Sequence, residues 1–118
     1  MVVDDEISLT KLLKLMIERA FPGAIVVTVH SGDQAWDYIQ ANSNHLRFDL
    51  VLTDVRMPNG NGVVLMQRIK RFFPRTHIVA MSGLQEAGTE IADAFIPKPL
   101  DLNVLTNALK EVLGRNIA

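Results

Sequence analysis

The sequence contains no cysteine, so disulfide bonds and thiolate metal sites are excluded. It has no excess of charge of either sign: the formal net charge is -1, and nothing favours general attraction to nucleic acid or to an anionic membrane surface. No apolar run approaches the length of a membrane span. The apolar residues after Met1 stop at Val3, which is too short for the apolar core of a signal peptide. These absences predict a soluble cytoplasmic protein that binds neither membrane nor nucleic acid directly.

The composition that remains is that of a folded domain. Hydrophobic residues make up 48% of the chain, which is enough for a core and too much for a disordered segment. The length of 118 residues suits one compact unit, and no linker or repeat divides it. We therefore expect one domain over residues 1–118.

Short apolar runs alternate along the chain with segments whose apolar residues recur at helical spacing. Short runs rich in valine and isoleucine predict buried strands, and apolar positions at helical spacing predict amphipathic helices. Strand and helix alternate throughout, which indicates a three-layer α/β/α sandwich around a parallel sheet. The predicted strands are 1–3, 24–29, 49–53, 77–81 and 94–96, and the predicted helices are 9–20, 32–41, 63–72 and 102–113.

Two helix starts carry capping residues, and one expected helix has too little room. Ser31 with Gln34 forms a capping-box pattern, and Asp101 can cap the last helix. Between Ser82 and Lys98 only about ten residues remain for a loop, a helix and a second loop, whereas an average helix alone runs about 11–12 residues. We expect the helix between the fourth and fifth strands to be shortened or absent.

Acidic, hydroxyl and amine side chains follow the predicted strands. In an open parallel sheet the carboxyl ends of the strands share one edge, where ligands bind. Three carboxylates, one hydroxyl and one ammonium group should therefore meet at one place. Carboxylates of this kind suit Mg²⁺, which often bridges to a phosphoryl group. The stretches that carry these groups are Val2–Asp5, Asp49–Asp54, Met57–Pro58, Met81–Gly83 and Ile96–Pro99.

These stretches resemble, in order and content, the motifs of the receiver domain of two-component response regulators. The resemblance covers nearly the whole chain, and it implies a flavodoxin-like parallel sheet of five strands in the order 2-1-3-4-5. It implies that Asp54 is the phosphoacceptor. It also implies that Mg²⁺ is ligated by Asp5, Asp54 and the main-chain carbonyl of Arg56, while Asp4 acts mainly through a metal-bound water.

The resemblance assigns roles to three further side chains. Lys98 would pair with Asp54 or with its phosphoryl oxygens, and Ser82 would hydrogen-bond the phosphoryl group and move toward it on activation. Phe95 occupies the position of the family's switch aromatic residue. On its own, Ser82 could instead cap a helix, or do both, and Phe95 could equally be an ordinary core residue. In the family the side chains at Arg56 and Leu84 would flank the approach of a hydrolytic water.

The function implied is a phosphorylation-dependent switch of a phosphorelay. The phosphoryl donor would be a sensor histidine kinase or a histidine phosphotransfer protein, and the downstream effector cannot be read from the sequence. Such a domain is not an enzyme beyond its own phosphorylation and dephosphorylation. Two alternatives stay open: a degenerate receiver that only binds partners, and an Mg²⁺-dependent phosphohydrolase with an aspartate nucleophile. The hydrolase needs a second acid two residues after its nucleophile, where this chain has Arg56.

Overall fold

A computed structural model describes residues 1–45, 47–83 and 88–114. It contains one sheet of five strands in the order β2-β1-β3-β4-β5, and every neighbouring pair is parallel. This confirms the strand order implied by the family resemblance. The strands are β1 (Val2–Val3), β2 (Thr28–Val29), β3 (Leu50–Asp54), β4 (His77–Ser82) and β5 (Ala94–Pro97).

Helices cover both faces of the sheet, as the alternating pattern predicts. Side chains of α1 and α4 contribute to one buried cluster, and those of α2 and α3 contribute to the other. The sheet therefore lies between two helical layers. None of the described helices is long and apolar enough to cross a membrane. The helices are α1 (Ile7–Ala20), α2 (Gly32–Asn42), α3 (Gly62–Phe72) and α4 (Leu102–Gly114).

The central strands show why a continuous apolar run marks a strand covered on both faces. In β3, Val51 belongs to the cluster under α2 and α3, and Leu52 belongs to the cluster under α1 and α4. In β4, Ile78 and Val79 divide in the same way. Side chains alternate across a strand, so a strand buried on both faces needs apolar residues at every position.

The capping residues act as the sequence predicts. The Ser31 hydroxyl accepts a hydrogen bond from the Gln34 amide at 3.0 Å, and the Gln34 side-chain oxygen accepts one from the His30 amide at 2.7 Å. The Asp101 carboxylate accepts hydrogen bonds from the amides of Asn103 and Val104. Both caps satisfy amide groups that have no partner within their helix.

The second strand is shorter than the predicted range 24–29. Only Thr28–Val29 is strand, and Ile25 is 89% exposed. The reason is the length of the neighbouring strand: β1 has only Val2–Val3, which pair with Thr28–Val29. The residues before Thr28 therefore have no strand beside them, although the Val2 amide still donates to the Val27 carbonyl at 2.8 Å.

Among the described residues between β4 and β5, the helical part is a 3₁₀ turn over Thr89–Ile91. This confirms the predicted shortening, and residues 84–87 lie outside the described residues. Gly88 precedes the turn with a φ of 92°. Its Cα packs against Val63, and a β-carbon there would come within 2.6 Å of that side chain. Glycine therefore suits this position for both its conformation and its size.

Candidate functional site

The carboxyl ends of the strands lie level at one edge of the sheet. Val3 pairs with Thr53, Asp54 pairs with Met81, and Ser82 pairs with Pro97. The residues at or just after these ends are Asp4, Asp5, Asp54, Ser82 and Lys98. Parallel pairing thus gathers residues that are up to 94 positions apart in the chain.

Three carboxylates meet at this edge, as the sequence predicts. One oxygen from each of Asp4, Asp5 and Asp54 lies within 4.8 Å of the others. Asp4 is 0% exposed and Asp54 is 7% exposed, while Asp5 is open to solvent. Two buried carboxylates and one solvent-facing carboxylate fit a small divalent cation that keeps part of its water shell.

Lys98 is the cation of the cluster, and its nearest partner is Asp4. Its Nζ lies 2.9 Å from Asp4 Oδ2 and 3.4 Å from Asp54 Oδ1. The family resemblance implies pairing with Asp54; the structure contains that contact but places Asp4 closer. The Lys98 amide donates to the Ser82 carbonyl at 2.9 Å, which ties the lysine backbone to the end of β4.

The charges of the cluster shift the pKa values of Asp54 and Lys98. Burial raises the pKa of Asp54, and the negative charge of Asp4 raises it further against the opposing effect of Lys98. Burial alone would lower the pKa of Lys98, but its hydrogen bond to Asp4 and the charges of both carboxylates together raise it. Lys98 therefore stays protonated at neutral pH, yet it does not fully compensate Asp54.

The position of Asp54 is fixed by the loop that follows β3. Its Oδ1 accepts a hydrogen bond from the Val55 amide at 2.9 Å, and its carbonyl accepts one from the Thr53 hydroxyl at 2.8 Å. The chain then returns, and the Gly62 amide donates to the Val55 carbonyl at 2.8 Å. Gly62 lies so close to the Asp54 carbonyl that no β-carbon would fit. The turn-rich sequence Gly60-Asn61-Gly62 is the signal for this return.

Asp4 is held from two sides. Its Oδ1 accepts a hydrogen bond from the Glu6 amide at 2.9 Å. Its main-chain carbonyl lies 3.1 Å from Nδ1 of His30, so a proton on that nitrogen would be donated to the carbonyl. No sequence motif marks His30 as a residue of the site. Its position just after β2, the strand beside β1, is the signal that places it next to Asp4.

The other predicted residues lie where the topology requires. Ser82 is buried at the end of β4, and Arg56 is exposed in the loop between β3 and α3. Phe95 is half-buried in β5 and packs against the cluster under α2 and α3. The roles assigned to these three residues stay predictions, and Leu84 lies outside the described residues.

The fold and the site together define a flavodoxin-like α/β protein with an acidic, lysine-bearing carboxyl edge. The chain matches the response regulator receiver domain family over residues 1–110. It belongs to that family, and it is a receiver domain of the two-component type.

Relatives of known name include both kinases and transcriptional regulators. The chain is 33% identical to the autoinducer 1 sensor kinase/phosphatase LuxN of Vibrio campbellii over 125 residues, which cover 100% of this chain and 14% of that protein. It is 30% identical to the transcriptional regulatory protein CpxR of Escherichia coli, covering 98% of this chain and 49% of that protein. The chain thus spans half or less of the length of these relatives.

Solved structures share the fold over almost the whole chain. A putative response regulator from Chloroflexus aurantiacus has a TM-score of 0.80 at 24% identity, covering 97% of this chain and 95% of the other. The response regulator TrrA of Thermotoga maritima, solved in complex with Mg(2+)-BeF, has a TM-score of 0.81 at 23% identity, covering 94% and 95%. At these identities the similarity establishes the fold.

Proposed function

We propose that this domain is a phosphorylation-dependent switch that accepts a phosphoryl group on Asp54. The donor is a phosphohistidine on a sensor histidine kinase or on a histidine phosphotransfer protein. The observation that carries the proposal is the convergence of one oxygen from each of Asp4, Asp5 and Asp54 within 4.8 Å, beside the Lys98 ammonium group. Family membership supports the same assignment.

The reaction makes one bond and breaks one. A carboxylate oxygen of Asp54 attacks the phosphorus atom, a new O–P bond forms, and the N–P bond to the donor imidazole breaks. The imidazole keeps that electron pair and takes up a proton. Transfer of this kind depends mainly on in-line positioning and on neutralisation of charge. Asp54 suits the task because the Val55 amide fixes its carboxylate at 2.9 Å.

Mg²⁺ is the proposed cofactor, and this chain offers the oxygen donors for it. Asp5, Asp54 and the main-chain carbonyl of Arg56 would hold the ion directly, and Asp4 would act through a bound water. The fit is electrostatic: the pKa of Asp54 is raised by burial and by Asp4, so a divalent cation would relieve the repulsion that remains. When bound, Mg²⁺ would supply charge neutralisation for the transferring phosphoryl oxygens.

Three side chains would then respond to the new phosphoryl group. Lys98 lies 3.4 Å from Asp54 and would pair with a phosphoryl oxygen. Ser82, at the end of the next strand, would donate a hydrogen bond to another oxygen. Phe95 would follow the movement of Ser82, since β5 is paired with β4. The output passes to an effector that is not identified, and the domain catalyses only its own phosphorylation and dephosphorylation in the cytoplasm.

Phosphate incorporation tests the proposal directly. Wild-type protein incubated with Mg²⁺ and a small acyl phosphate should gain hydroxylamine-labile phosphate, and Asp54→Asn should gain none. A folded Asp54→Asn variant that incorporates phosphate at the wild-type level would disprove the acceptor. Failure of the wild type to incorporate phosphate would favour a degenerate receiver, and continuous hydrolysis of a phosphate ester without a labelled protein would favour a phosphohydrolase.

Calorimetric titration with Mg²⁺ tests the ligand set separately. Asp5→Ala removes a solvent-facing carboxylate without opening the core, so it should weaken Mg²⁺ binding strongly and leave the fold intact. Asp33→Ala, which removes another exposed acid on α2, is the matched control. Equal affinity in wild type and Asp5→Ala would exclude Asp5 as a direct ligand.

A further inference from the structure

The α3 helix and the residues after it carry cations without acids. No aspartate or glutamate occurs between positions 55 and 85, and four cations fall within the short range 68–75: Arg68, Lys70, Arg71 and Arg75. Cations are favourable near a helix carboxyl terminus, which explains part of this bias. Among the described residues, however, none of the four forms an ion pair with a carboxylate. This part of the surface is positive although the whole chain has a net charge of -1.

Aromatic rings lie among these cations. Phe72 is 57% exposed, and its ring centroid is 5.9 Å from that of Trp36 on α2. The guanidinium of Arg68 lies 5.6 Å from the centroid of a Trp36 ring, and that of Arg71 lies 5.2 Å from the Phe72 ring. Stacking uses the face of a guanidinium and leaves its N–H edges for an anion. The arrangement offers apolar area and charged donors side by side.

A pocket of about 190 Å³ adjoins this cluster. It lies where the carboxyl end of α2 and the end of α3 meet the residues that precede β3 and β4. An apolar cavity of roughly 150 Å³ can hold a benzene ring, so a pocket of this size admits one large apolar side chain. The described residues that line it are mostly apolar, with one arginine: Ile39, Ser43, Arg47, Phe48, Ile69, Phe73 and Thr76. The ring centroid of Phe73 lies 6.0 Å from that of Trp36, which connects the pocket to the cluster.

We propose that this surface docks an acidic segment of a partner protein, which places one apolar side chain in the pocket. We define the α2–α3 surface as Trp36, Arg68, Arg71, Phe72 and the adjoining pocket. Carboxylates of the partner would pair with the two guanidiniums, which are pre-oriented by the rings beneath them. An exposed aromatic residue flanked by arginines is the composition that contributes most at protein interfaces.

The chemistry favours a protein over a nucleic acid. The pocket is lined mainly by aliphatic and aromatic side chains, which suit an apolar side chain better than a phosphate or a base edge. The rings of Trp36 and Phe72 already carry guanidinium groups, so neither offers a bare stacking platform.

The surface is separate from the phosphorylation site. The pocket borders the amino-terminal ends of β3 and β4, whereas Asp54 and Ser82 lie at their carboxyl ends. A partner could remain docked there while Asp54 reacts. The proposal does not depend on the phosphorylation proposal, because each can be true or false alone.

Calorimetry with designed peptides tests the docking proposal. The probes are a short peptide of aspartate and glutamate with a central phenylalanine, the same peptide with serine in place of phenylalanine, its lysine counterpart, and an oligothymidylate of equal charge. The acidic phenylalanine peptide should bind, and each of the other three should bind about tenfold more weakly or not at all. Binding should weaken as salt is raised. Trp36 is the sole tryptophan, so its fluorescence should change on binding.

Charge-reversed variants locate the binding surface. Arg68→Glu with Arg71→Glu should weaken binding about tenfold or more. Arg75→Glu should weaken binding by a smaller factor. Arg75 makes no ring contact in the structure, so this variant shows the effect of charge without a loss of ring packing. The matched control is Lys11→Glu with Lys14→Glu, two exposed lysines of α1 on the opposite face of the sheet.

Three results would overturn the proposal. They are equal affinity in the Arg68/Arg71 variant and the Lys11/Lys14 control, no difference between the phenylalanine and serine peptides, and preference for the oligothymidylate. Circular dichroism of each variant confirms that a lost signal reflects binding rather than unfolding.

Discussion

At the scale of single residues, two buried carboxylates, those of Asp4 and Asp54, contact the same ammonium group at different distances. Lys98 lies 2.9 Å from Asp4 and 3.4 Å from Asp54. Asp4 also accepts a hydrogen bond from the Glu6 amide, so its charge is well compensated. Asp54 is left with the raised pKa. The charge of the proposed phosphoacceptor is therefore unfavourable to the folded state.

Removing the charge of Asp54 should stabilise the protein. A carboxyl group whose pKa is raised on folding contributes stability below its unfolded pKa, and this contribution is lost as the pH rises through the folded value. At pH 7 without divalent cations, Asp54→Asn should therefore have a higher free energy of unfolding than wild type. Urea denaturation measures this difference. Mg²⁺ should reduce or reverse it, because the proposed metal site uses the wild-type carboxylate as a ligand.

Lys98→Gln should lower the free energy of unfolding, so it is the informative comparison with Asp54→Asn. It leaves the buried Asp4 carboxylate beside a second acid and without its cation. Loss of one partner of a buried ion pair costs about 3–5 kcal/mol. Because Lys98 is partly exposed, we expect Lys98→Gln to cost about 2 kcal/mol. Lys110→Gln, at an exposed position of α4, should be nearly neutral. If Asp54→Asn destabilises the protein and Lys98→Gln does not, the inference that the Asp54 charge is unfavourable to the folded state is wrong.

At the scale of elements, the start of α3 couples the helix to the acceptor strand. Gly62 is the first residue of α3, and it packs directly against the Asp54 carbonyl. Gly62→Ala should force the helix away from β3, and overpacking of this kind costs about 1–3 kcal/mol. Gly114→Ala, at the end of α4 with open space around it, is the control and should change little.

Phosphate incorporation should respond to the same change. Displacement of α3 would also move the Val55 amide that fixes Asp54, so Gly62→Ala should slow incorporation even at temperatures where it is folded. A folded Gly62→Ala variant with the wild-type rate would show that the loop adapts without disturbing the acceptor.

The sequence predicts elements well where local pattern and tertiary packing agree. The apolar runs before Asp54 and Lys98 are strands, and the caps at Ser31 and Asp101 form as expected. It fails for the range 24–29, whose residues favour a strand but have no neighbour to pair with. It also does not reveal that the Phe72 ring is largely exposed beside Trp36. Pairing and exposure depend on distant parts of the chain.

At the scale of the site as a whole, the sequence predicts which residues meet but not how they share partners. Convergence of Asp4, Asp5 and Asp54 follows from parallel topology, because strand ends share an edge. The preference of Lys98 for Asp4 depends on ångström-level differences at the end of β5. His30 contacts Asp4 only because β2 lies beside β1, which no local pattern reveals.

At the scale of the whole molecule, the described segment before β5 limits one surface through which the domain could associate. Receiver domains commonly associate through the helix before the fifth strand, that strand and the last helix. Here the described part of that first helix is the three-residue turn Thr89–Ile91. A specific interface buries about 800 Å² on each partner, and a turn of three residues can supply only a small part of such an area.

We predict that association through this face is weak and that phosphorylation leaves the domain monomeric. Sedimentation velocity with and without Mg²⁺ and a small acyl phosphate measures the association state. The informative variant is Val104→Glu, since Val104 is 50% exposed on α4 and would be covered by any dimer through that helix. It should change nothing if the domain is monomeric. A phosphorylation-dependent dimer that Val104→Glu disrupts would show that β5 and α4 suffice for association, and that the shortened helix has no consequence for assembly.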